Sequence, residues 1–147
     1  MITVGIHRMA GNEDLPLPKK MSKGASGFDL FAAVTEPVVI PQGKWKLIPT
    51  GIALSIPNGY EAQIRPRSGL ALKYGITALN SPGTIDADYR GEIHVILVNL
   101  GEQEFVIQRG ERIAQLVFQH VPDVEFQLVD QLDQTERGAG GFGHTGR

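Results

Sequence analysis

Apolar and polar residues alternate along most of this chain in short segments that end in turn-forming sequence. Alternation over roughly four to eight residues is typical of β-strands with one buried face. The first eight residues already alternate in this way. Further on, the pattern predicts strands at residues 28–33, 38–40, 45–48, 52–56, 60–64, 93–99, 105–107, 113–120 and 124–129.

Turn-forming sequence separates these segments. The stretches 41–43, 57–59 and 99–101 combine proline, asparagine and glycine, which suit the special backbone angles of tight turns. Many short strands with frequent turns predict an all-β sandwich or barrel. Only residues 68–74 suit a short helix, which Ser68 can cap and Gly75 can stop.

The composition limits the class of protein. A chain of 147 residues, 41% hydrophobic and 20% charged, fits one globular domain. It has no apolar run long enough to span a membrane and no signal-peptide block, so we expect no membrane partner. Zero cysteines exclude disulfides and thiolate metal sites. We therefore expect a cytoplasmic protein.

The charge limits the partners further. A net charge of −2 argues against a general nucleic-acid binder, so we expect no nucleic-acid polymer as a partner. An anionic ligand must instead meet a few local cations. Histidines at positions 7, 94, 120 and 144 are too scattered to predict a metal cage.

The end of the chain differs from the rest. We divide the sequence into a β domain, residues 1–136, and a flexible glycine-rich arm, residues 137–147. The arm holds five glycines, with Arg137 at its start and the ring of Phe142 within it. Such an arm suits a flap over a flat ligand that bears phosphates, although a frayed terminus is the alternative.

Residues 83–91 place two carboxylates, an aromatic ring and a guanidinium between two glycines. These groups belong to Asp86, Asp88, Tyr89 and Arg90, and strand-like sequence follows. A hairpin rim would hold such a carboxylate on a stiff element. Aspartate and glycine are also ordinary turn formers, so this segment alone leaves a simple turn open.

A second polar segment, residues 65–71, leads into the predicted helix. Arg67, Ser68 and Gly69 can cradle a phosphate there, or Ser68 can simply cap the helix. A third segment, residues 24–30, places Asp29 in a strand that otherwise looks buried. A carboxylate in such a place needs a hydrogen bond, a cation or a hydrated ion.

A fourth segment, residues 110–117, interrupts an apolar strand with Arg112 and Gln115, for which ordinary edge polarity is the alternative. In order along the chain, these segments and the glycine-rich arm resemble the five sequence motifs of the trimeric deoxyuridine triphosphatases (dUTP diphosphatases, or dUTPases). The motifs correspond to residues 26–30, 66–71, 84–91, 111–116 and 137–143, within a resemblance that runs from about residue 15 to the C-terminus.

The resemblance implies an all-β, jelly-roll-like β-sandwich, the β-clip fold, with one short helix and a flexible C-terminal tail. It also implies hydrolysis of dUTP to dUMP and pyrophosphate by Mg²⁺-assisted attack of water on the α-phosphorus. Asp86 would be the general base for that water. Mg²⁺ would be bound mainly through the triphosphate, with Asp29 as an outer-sphere partner through a metal-bound water.

The resemblance assigns the phosphates to Arg67, Ser68, the Gly69 amide and Gln115. It assigns the deoxyribose to Tyr89, whose ring would leave no room for a 2′-hydroxyl.

The same resemblance assigns uracil to the hairpin that runs from Asn80 to His94 and includes Thr84 and Ile85, with mostly backbone groups as its contacts. A narrow hairpin rejects the methyl group of thymine and the reversed hydrogen-bonding order of cytosine.

In the arm, Phe142 would stack on the uracil next to Gly143, and Arg137 would reach the γ-phosphate. The resemblance further implies a homotrimer whose active sites are shared between subunits. Two alternatives stay open. One is a dCTP deaminase of the same fold, whose chemistry uses a glutamate near the hairpin, and the other is a non-enzymatic nucleotide-binding regulator.

Overall fold

The strands pair into three antiparallel sheets in a computed structural model that describes residues 1–141. In chain order the elements are β1 (Gly5–Arg8), β2 (Phe28–Phe31), β3 (Val38–Ile40), β4 (Trp45–Ser55), β5 (Tyr60–Arg65), α1 (Ser68–Tyr74), β6 (Ile76–Ala78), β7 (Gly83–Ile85), β8 (Glu92–Asn99), β9 (Phe105–Ile107) and β10 (Arg112–His120). No helix in this part of the chain has the length and apolar character needed to cross a membrane.

Two four-stranded sheets form the sandwich, and their apolar faces form the core. One sheet has the order β1-β4-β8-β6, the other has the order β2-β10-β5-β7, and β3 pairs with β9. The core cluster draws on both sheets, with Leu30 and Leu116 from one and Ile48, Ile93 and Leu97 from the other. The predicted all-β sandwich with one short helix is therefore confirmed.

The long strand β4 replaces two predicted strands, residues 45–48 and 52–56. Its pairing with β8 shifts between Pro49 and Ala53, so the chain bulges there without leaving the sheet. The Thr50 hydroxyl donates to the Ile93 carbonyl at 2.6 Å, and the Gly51 amide donates to the Glu92 carboxylate at 2.9 Å. These two hydrogen bonds join the bulged part of β4 to β8 where regular strand pairing is interrupted.

Helix α1 spans the predicted residues, but it begins differently from the prediction. Gly75 ends it in the left-handed conformation, with φ of 67°. The N-cap is Arg67 and no side chain makes a cap bond, so the prediction of Ser68 as the cap is wrong. Ser68 is the first helical residue instead, and its hydroxyl is not used to close the helix.

The predicted strand at residues 124–129 is also wrong. The segment has no strand pairing, and Phe126 and Leu128 are 96% and 98% exposed. Alternating apolar residues form a strand only where a partner strand offers hydrogen bonds and an apolar face. Within residues 1–141 no strand lies beside this segment. The short strands β6 and β7, which the pattern does not predict, form because β8 and β5 pair with them.

Candidate functional site

Two separate clefts contain most of the predicted site residues. The first, which we call the arginine cleft, has a volume of about 270 Å³. The second, which we call the hairpin cleft, has a volume of about 370 Å³. The arginine cleft is lined by Met21, Ala25, Gly27, Asp29, Arg67, Ser68, Gly69, Arg112 and Gln115. The hairpin cleft is lined by Leu47, Ile64, Asn80, Thr84, Ile85, Asp86, Tyr89, Glu92, His94 and Ile96.

Strand register places Asp29 and Gln115 side by side in the arginine cleft. Asp29 on β2 pairs with Gln115 on β10. The Gln115 side-chain amide donates to the Pro66 carbonyl at 3.0 Å, which ties β10 to the turn before α1. Gly27 passes so close that a Cβ there would collide with the Gln115 side chain. Glycine at position 27 therefore leaves room for Gln115.

Asp29 lies between two guanidinium groups. Its Oδ2 is 3.2 Å from Arg112 Nη1, and its Oδ1 is 3.7 Å from Arg67 Nε. Its side chain is only 13% exposed, and a carboxylate with so little access to water needs positively charged partners. The two guanidinium groups are those partners. Two cations with one anion leave the cleft with an excess of positive charge, which suits an anionic ligand.

The other predicted phosphate ligands lie at the start of α1. Arg67 precedes the helix, and its Nη1 donates to the Arg112 carbonyl at 2.9 Å. Ser68 and Gly69 are exposed in the first turn and line the same cleft. The structure therefore brings together Asp29, Arg67, Ser68, Gly69 and Gln115.

Asp86 lies on the rim of the hairpin cleft. It follows β7 directly and is exposed, in the turn that joins β7 to β8. These two strands lie in different sheets, so the prediction that Asp86 lies on a hairpin is wrong. Thr84 and Ile85 pair with Gln63 and Ala62 of β5, which fixes the strand that ends at Asp86. A carboxylate placed in this way can accept a proton from a water held nearby.

Tyr89 faces the same cleft and is fixed at its hydroxyl. That hydroxyl donates to the Glu92 carbonyl at 2.9 Å. The ring packs over Gly91, where a Cβ would lie 2.6 Å from ring atom Cζ. The ring can keep this position only because residue 91 has no side chain.

Glu92 connects the hairpin cleft to the β4 bulge. Besides accepting from Gly51, its carboxylate lies 3.7 Å from His94 Nε2. His94 Nδ1 is 3.1 Å from the Glu92 carbonyl. The predicted nucleoside-binding residues Asn80, Thr84, Ile85, Tyr89 and His94 are thus brought together, with Asp86 beside them.

The two clefts share no lining residue and lie far apart along the sheet. Asp86 follows Ile85, which pairs with Ala62, whereas Arg67 comes two residues after the end of β5. The separation along β5 is therefore roughly 15 to 20 Å at about 3.3 Å per residue. Within one chain, this register separates Asp86 from Arg67 by more than the reach of a shared hydrogen-bonding contact.

Arg137 lies in neither cleft. Its Nε donates to the Gly140 carbonyl at 2.8 Å within its own turn. Phe142 and Gly143 lie outside the described residues. The roles predicted for the arm stay predictions, as does the boundary between residues 136 and 137.

A strong ion pair lies outside both clefts. Arg109 donates to Asp14 at 2.7 and 2.9 Å and to the Gly11 carbonyl at 2.9 Å, which fastens the N-terminal loop to the turn before β10. The Arg109 guanidinium lowers the pKa of Asp14, and Asp14 in turn raises the pKa of Arg109.

The residues that are present fit a magnesium ion bound by substrate better than one held by the protein. Within residues 1–141 no group of three His, Cys, Asp or Glu side chains could hold a metal. The arginine cleft offers Asp29 as its one carboxylate among the described lining residues. Mg²⁺ keeps several waters and needs few protein ligands when phosphates supply oxygen.

Two charged residues of the clefts, Arg112 and Glu92, were not predicted as site residues. Arg112 carried a signal, because a charge in an apolar strand needs an explanation, but edge polarity explained it equally well. Glu92 carried no signal in the sequence. Its contacts depend on the β4 bulge, which the pattern does not predict.

A β-sandwich with a cationic cleft and an exposed carboxylate on a turn between its two sheets has the groups that a nucleotide-hydrolysing enzyme needs. The dUTPase family model matches residues 13–146. The deoxyuridine 5′-triphosphate nucleotidohydrolase of Caldanaerobacter subterraneus subsp. tengcongensis is 56% identical over 145 residues, 99% of this chain and 98% of that protein. The chain belongs to the dUTPase family, which confirms the resemblance seen in the sequence.

Solved structures agree with the family assignment. A mutant dUTPase of Staphylococcus bacteriophage 80alpha, solved with dUpNHpp, has a TM-score of 0.90 at 27% identity and covers 100% of both chains. A mutant dUTPase of phage phi11 of S. aureus, described with a structural Mg(II) ion, has a TM-score of 0.78 at 25% identity. It covers 88% of this chain and 98% of that chain.

Proposed function

We propose that this chain hydrolyses dUTP to dUMP and pyrophosphate, with water as the nucleophile at the α-phosphorus. In a cell this reaction keeps uracil out of DNA and supplies dUMP for thymidylate synthesis. The observation that carries the proposal is the position of Asp86, exposed on the rim of the cleft that also contains Tyr89 and Asn80.

Asp86 acts as the general base in this proposal. Phosphoryl transfer requires mostly positioning and neutralisation of charge, with one base to orient and deprotonate the water. An exposed carboxylate next to a strand end meets that need, and among residues 1–141 Asp86 has no salt-bridge partner.

The arginine cleft binds the triphosphate. Arg67, the Ser68 hydroxyl, the Gly69 amide and Gln115 supply its donors, and the surplus positive charge supports them. A bound Mg²⁺ would neutralise phosphate charge, and Asp29 would hold one of its waters. The chain's own contribution is the orientation of the phosphates.

The hairpin cleft binds the nucleoside. The Tyr89 ring, held over Gly91, stands against the deoxyribose and excludes a 2′-hydroxyl. Uracil lies in the part of the cleft lined by Asn80, Thr84, Ile85 and His94 and is bound mainly through backbone groups. The wrong base would leave buried polar groups of this pocket without hydrogen-bond partners, and the pocket therefore rejects it strongly.

A homotrimer completes each site. The base and the phosphate ligands must act on one phosphorus atom, yet Asp86 and Arg67 are separated by roughly 15 to 20 Å along one chain. A second copy can place its arginine cleft against the hairpin cleft of the first. The arm then closes the site, with Arg137 on the γ-phosphate and Phe142 on uracil beside Gly143. We place the protein in the cytoplasm.

The reaction is tested by pyrophosphate release from dUTP, dTTP, dCTP and UTP, each with and without Mg²⁺. Rapid release from dUTP alone, dependent on Mg²⁺, is expected. Ammonia release from dCTP would instead indicate a deaminase, and binding of dUTP without turnover would indicate a regulator.

The shared site is tested by mixing two inactive variants, Asp86→Asn and Arg67→Gln. Co-expression with two different tags and tandem purification isolates mixed trimers. In a cyclic trimer of two kinds of subunit, about one site in three combines the intact Asp86 with the intact Arg67. Mixed trimers should therefore recover about a third of wild-type activity. Mixed trimers no more active than their parents would show that the site lies within one chain.

A further inference from the structure

Arg112 contributes two different groups to the arginine cleft. Its guanidinium donates from Nη1 to Asp29 Oδ2 at 3.2 Å. Its main-chain carbonyl accepts from Arg67 Nη1 at 2.9 Å. One residue at the start of β10 therefore contacts both of the charged side chains predicted to act in this cleft, Asp29 and Arg67.

A β-bulge gives Arg112 this position. Pairing of β10 with β2 shifts between Arg112 and Ala114. As a result Ile113 and Ala114 both lie in the core, although neighbours in a regular strand face opposite sides. Arg112 and Gln115 then reach the same outer face, where both line the arginine cleft. Without the bulge, regular alternation would place them on opposite faces.

Asp29 has two guanidinium partners and lies nearer to one. Its hydrogen bond is with Arg112 at 3.2 Å, whereas Arg67 lies at 3.7 Å. If Arg112 lost its charge, Arg67 would be the remaining guanidinium beside this mostly buried carboxylate in the cleft. A carboxylate out of water attracts a cation strongly, so Arg67 would turn towards Asp29 and away from a ligand.

We propose that Arg112 is a positioning residue that holds Asp29 and thereby leaves the Arg67 guanidinium available for the triphosphate. The inference rests on the proposed function of the arginine cleft as the phosphate site. It assigns to Arg112 no direct contact with substrate. If Arg112 acts in this way, the affinity lost when Arg112 is replaced depends on the presence of the Asp29 carboxylate.

The test is a set of binding measurements on the assembled protein with dUpNHpp in place of dUTP. Calorimetry without Mg²⁺ removes any contribution of Asp29 to a metal-bound water. Arg112→Gln should raise the Kd by about tenfold, because Arg67 would turn towards Asp29 and its charge-assisted contact with the phosphates would be lost. Arg112→Lys should recover part of the affinity. Arg112→Gln combined with Asp29→Asn should bind within about threefold of wild type, because no carboxylate remains to hold Arg67.

Arg109→Gln is the matched control. It removes a guanidinium three residues earlier that contacts Asp14 outside both clefts, so it should lower the melting temperature and leave the Kd unchanged.

Wild-type affinity in Arg112→Gln would overturn the inference. A double variant as weak as Arg112→Gln would also overturn it, because Arg112 would then act as a direct ligand or as a purely structural residue. Failure of the wild-type protein to bind dUpNHpp would reject the proposed function itself, which the pyrophosphate assay examines separately.

Discussion

The arginine cleft and the hairpin cleft hold their charged groups in opposite ways. In the arginine cleft, Asp29 holds two arginines in place across β2, β10 and the start of α1. In the hairpin cleft, Asp86 is exposed on a turn, and the fixed groups are its neighbours Tyr89 and Glu92. One cleft is organised before a ligand arrives, whereas the other presents its carboxylate to solvent.

This difference corresponds to two chemical tasks. Donors that bind phosphate gain affinity when they are already oriented, because little order remains to be imposed at binding. A general base must instead keep its charge and its proton-accepting lone pairs accessible. Substitutions in the hairpin cleft, deletion of the arm and a substitution outside both clefts should separate these tasks, with effects that range from large to small.

Asp86→Asn should have the largest effect. We expect turnover of dUTP to fall by roughly 10²- to 10⁴-fold, because the general base is lost, while the Kd for dUpNHpp changes little. Steady-state kinetics and calorimetry give the two quantities. Near-normal turnover would remove Asp86 from the role of base, and a large loss of affinity would make it a binding residue instead.

Deletion of residues 137–147 should reduce hydrolysis by about a hundredfold, because closure over the site would be lost. The melting temperature should stay within about 2 °C of wild type, since a glycine-rich terminus adds little to a core. Thermal melting and pyrophosphate release measured on the same preparation separate the two effects. A large fall in melting temperature would contradict a role confined to the active site.

Gly91→Ala should weaken the choice between sugars. The new Cβ would displace the Tyr89 ring, so the ratio of kcat/KM for dUTP to that for UTP should fall by about tenfold. Gly24→Ala is the matched control, because a Cβ at that position meets nothing within 4 Å. An unchanged ratio in Gly91→Ala would show that the ring position does not set the sugar preference.

Asp14→Asn should have the smallest effect and none on either cleft. Because the pKa of Asp14 is lowered in the folded protein, its ion pair stabilises the fold above the ordinary aspartate pKa. That stabilisation is lost as the pH falls through the lowered pKa. The variant should melt no more than about 4 °C below wild type at pH 7. The difference should vanish in acid, below the lowered pKa, and a difference that persists there would reject the ion pair as its cause.

The sequence was most informative where local rules decide the structure. The helix 68–74 with its stop at Gly75 needs only residues that are neighbours in the chain. Asp29 and Gln115 stand out because polar residues in buried strands need partners, and β-pairing did bring these two together. The composition of residues 83–91 likewise identified the turn that carries Asp86, although the strands on either side of it belong to different sheets and form no hairpin.

The sequence was least informative where contacts between strands that are distant in the chain determine the structure. Residues 124–129 alternate as well as any true strand, but within the described chain no neighbouring strand pairs with them. Ser68 is a good cap by residue type, yet Arg67 takes that position. Two bulges determine which groups Glu92 contacts and which face Arg112 occupies. A bulge shifts the strand register, and the alternation of apolar and polar residues does not predict where it occurs.

The bulge in β10 also determines which mutations this strand can tolerate. A substitution at Ile113 changes how well one core position is filled, and its cost scales with the volume lost. Deletion of that residue would instead restore even alternation, because Arg112 and Gln115 would then be two positions apart and still share one face. Deletion of a residue further along the strand, where the pairing is regular, would reverse the face of every residue beyond it. Insertions and deletions are better placed in the turn before Arg112 than within the strand.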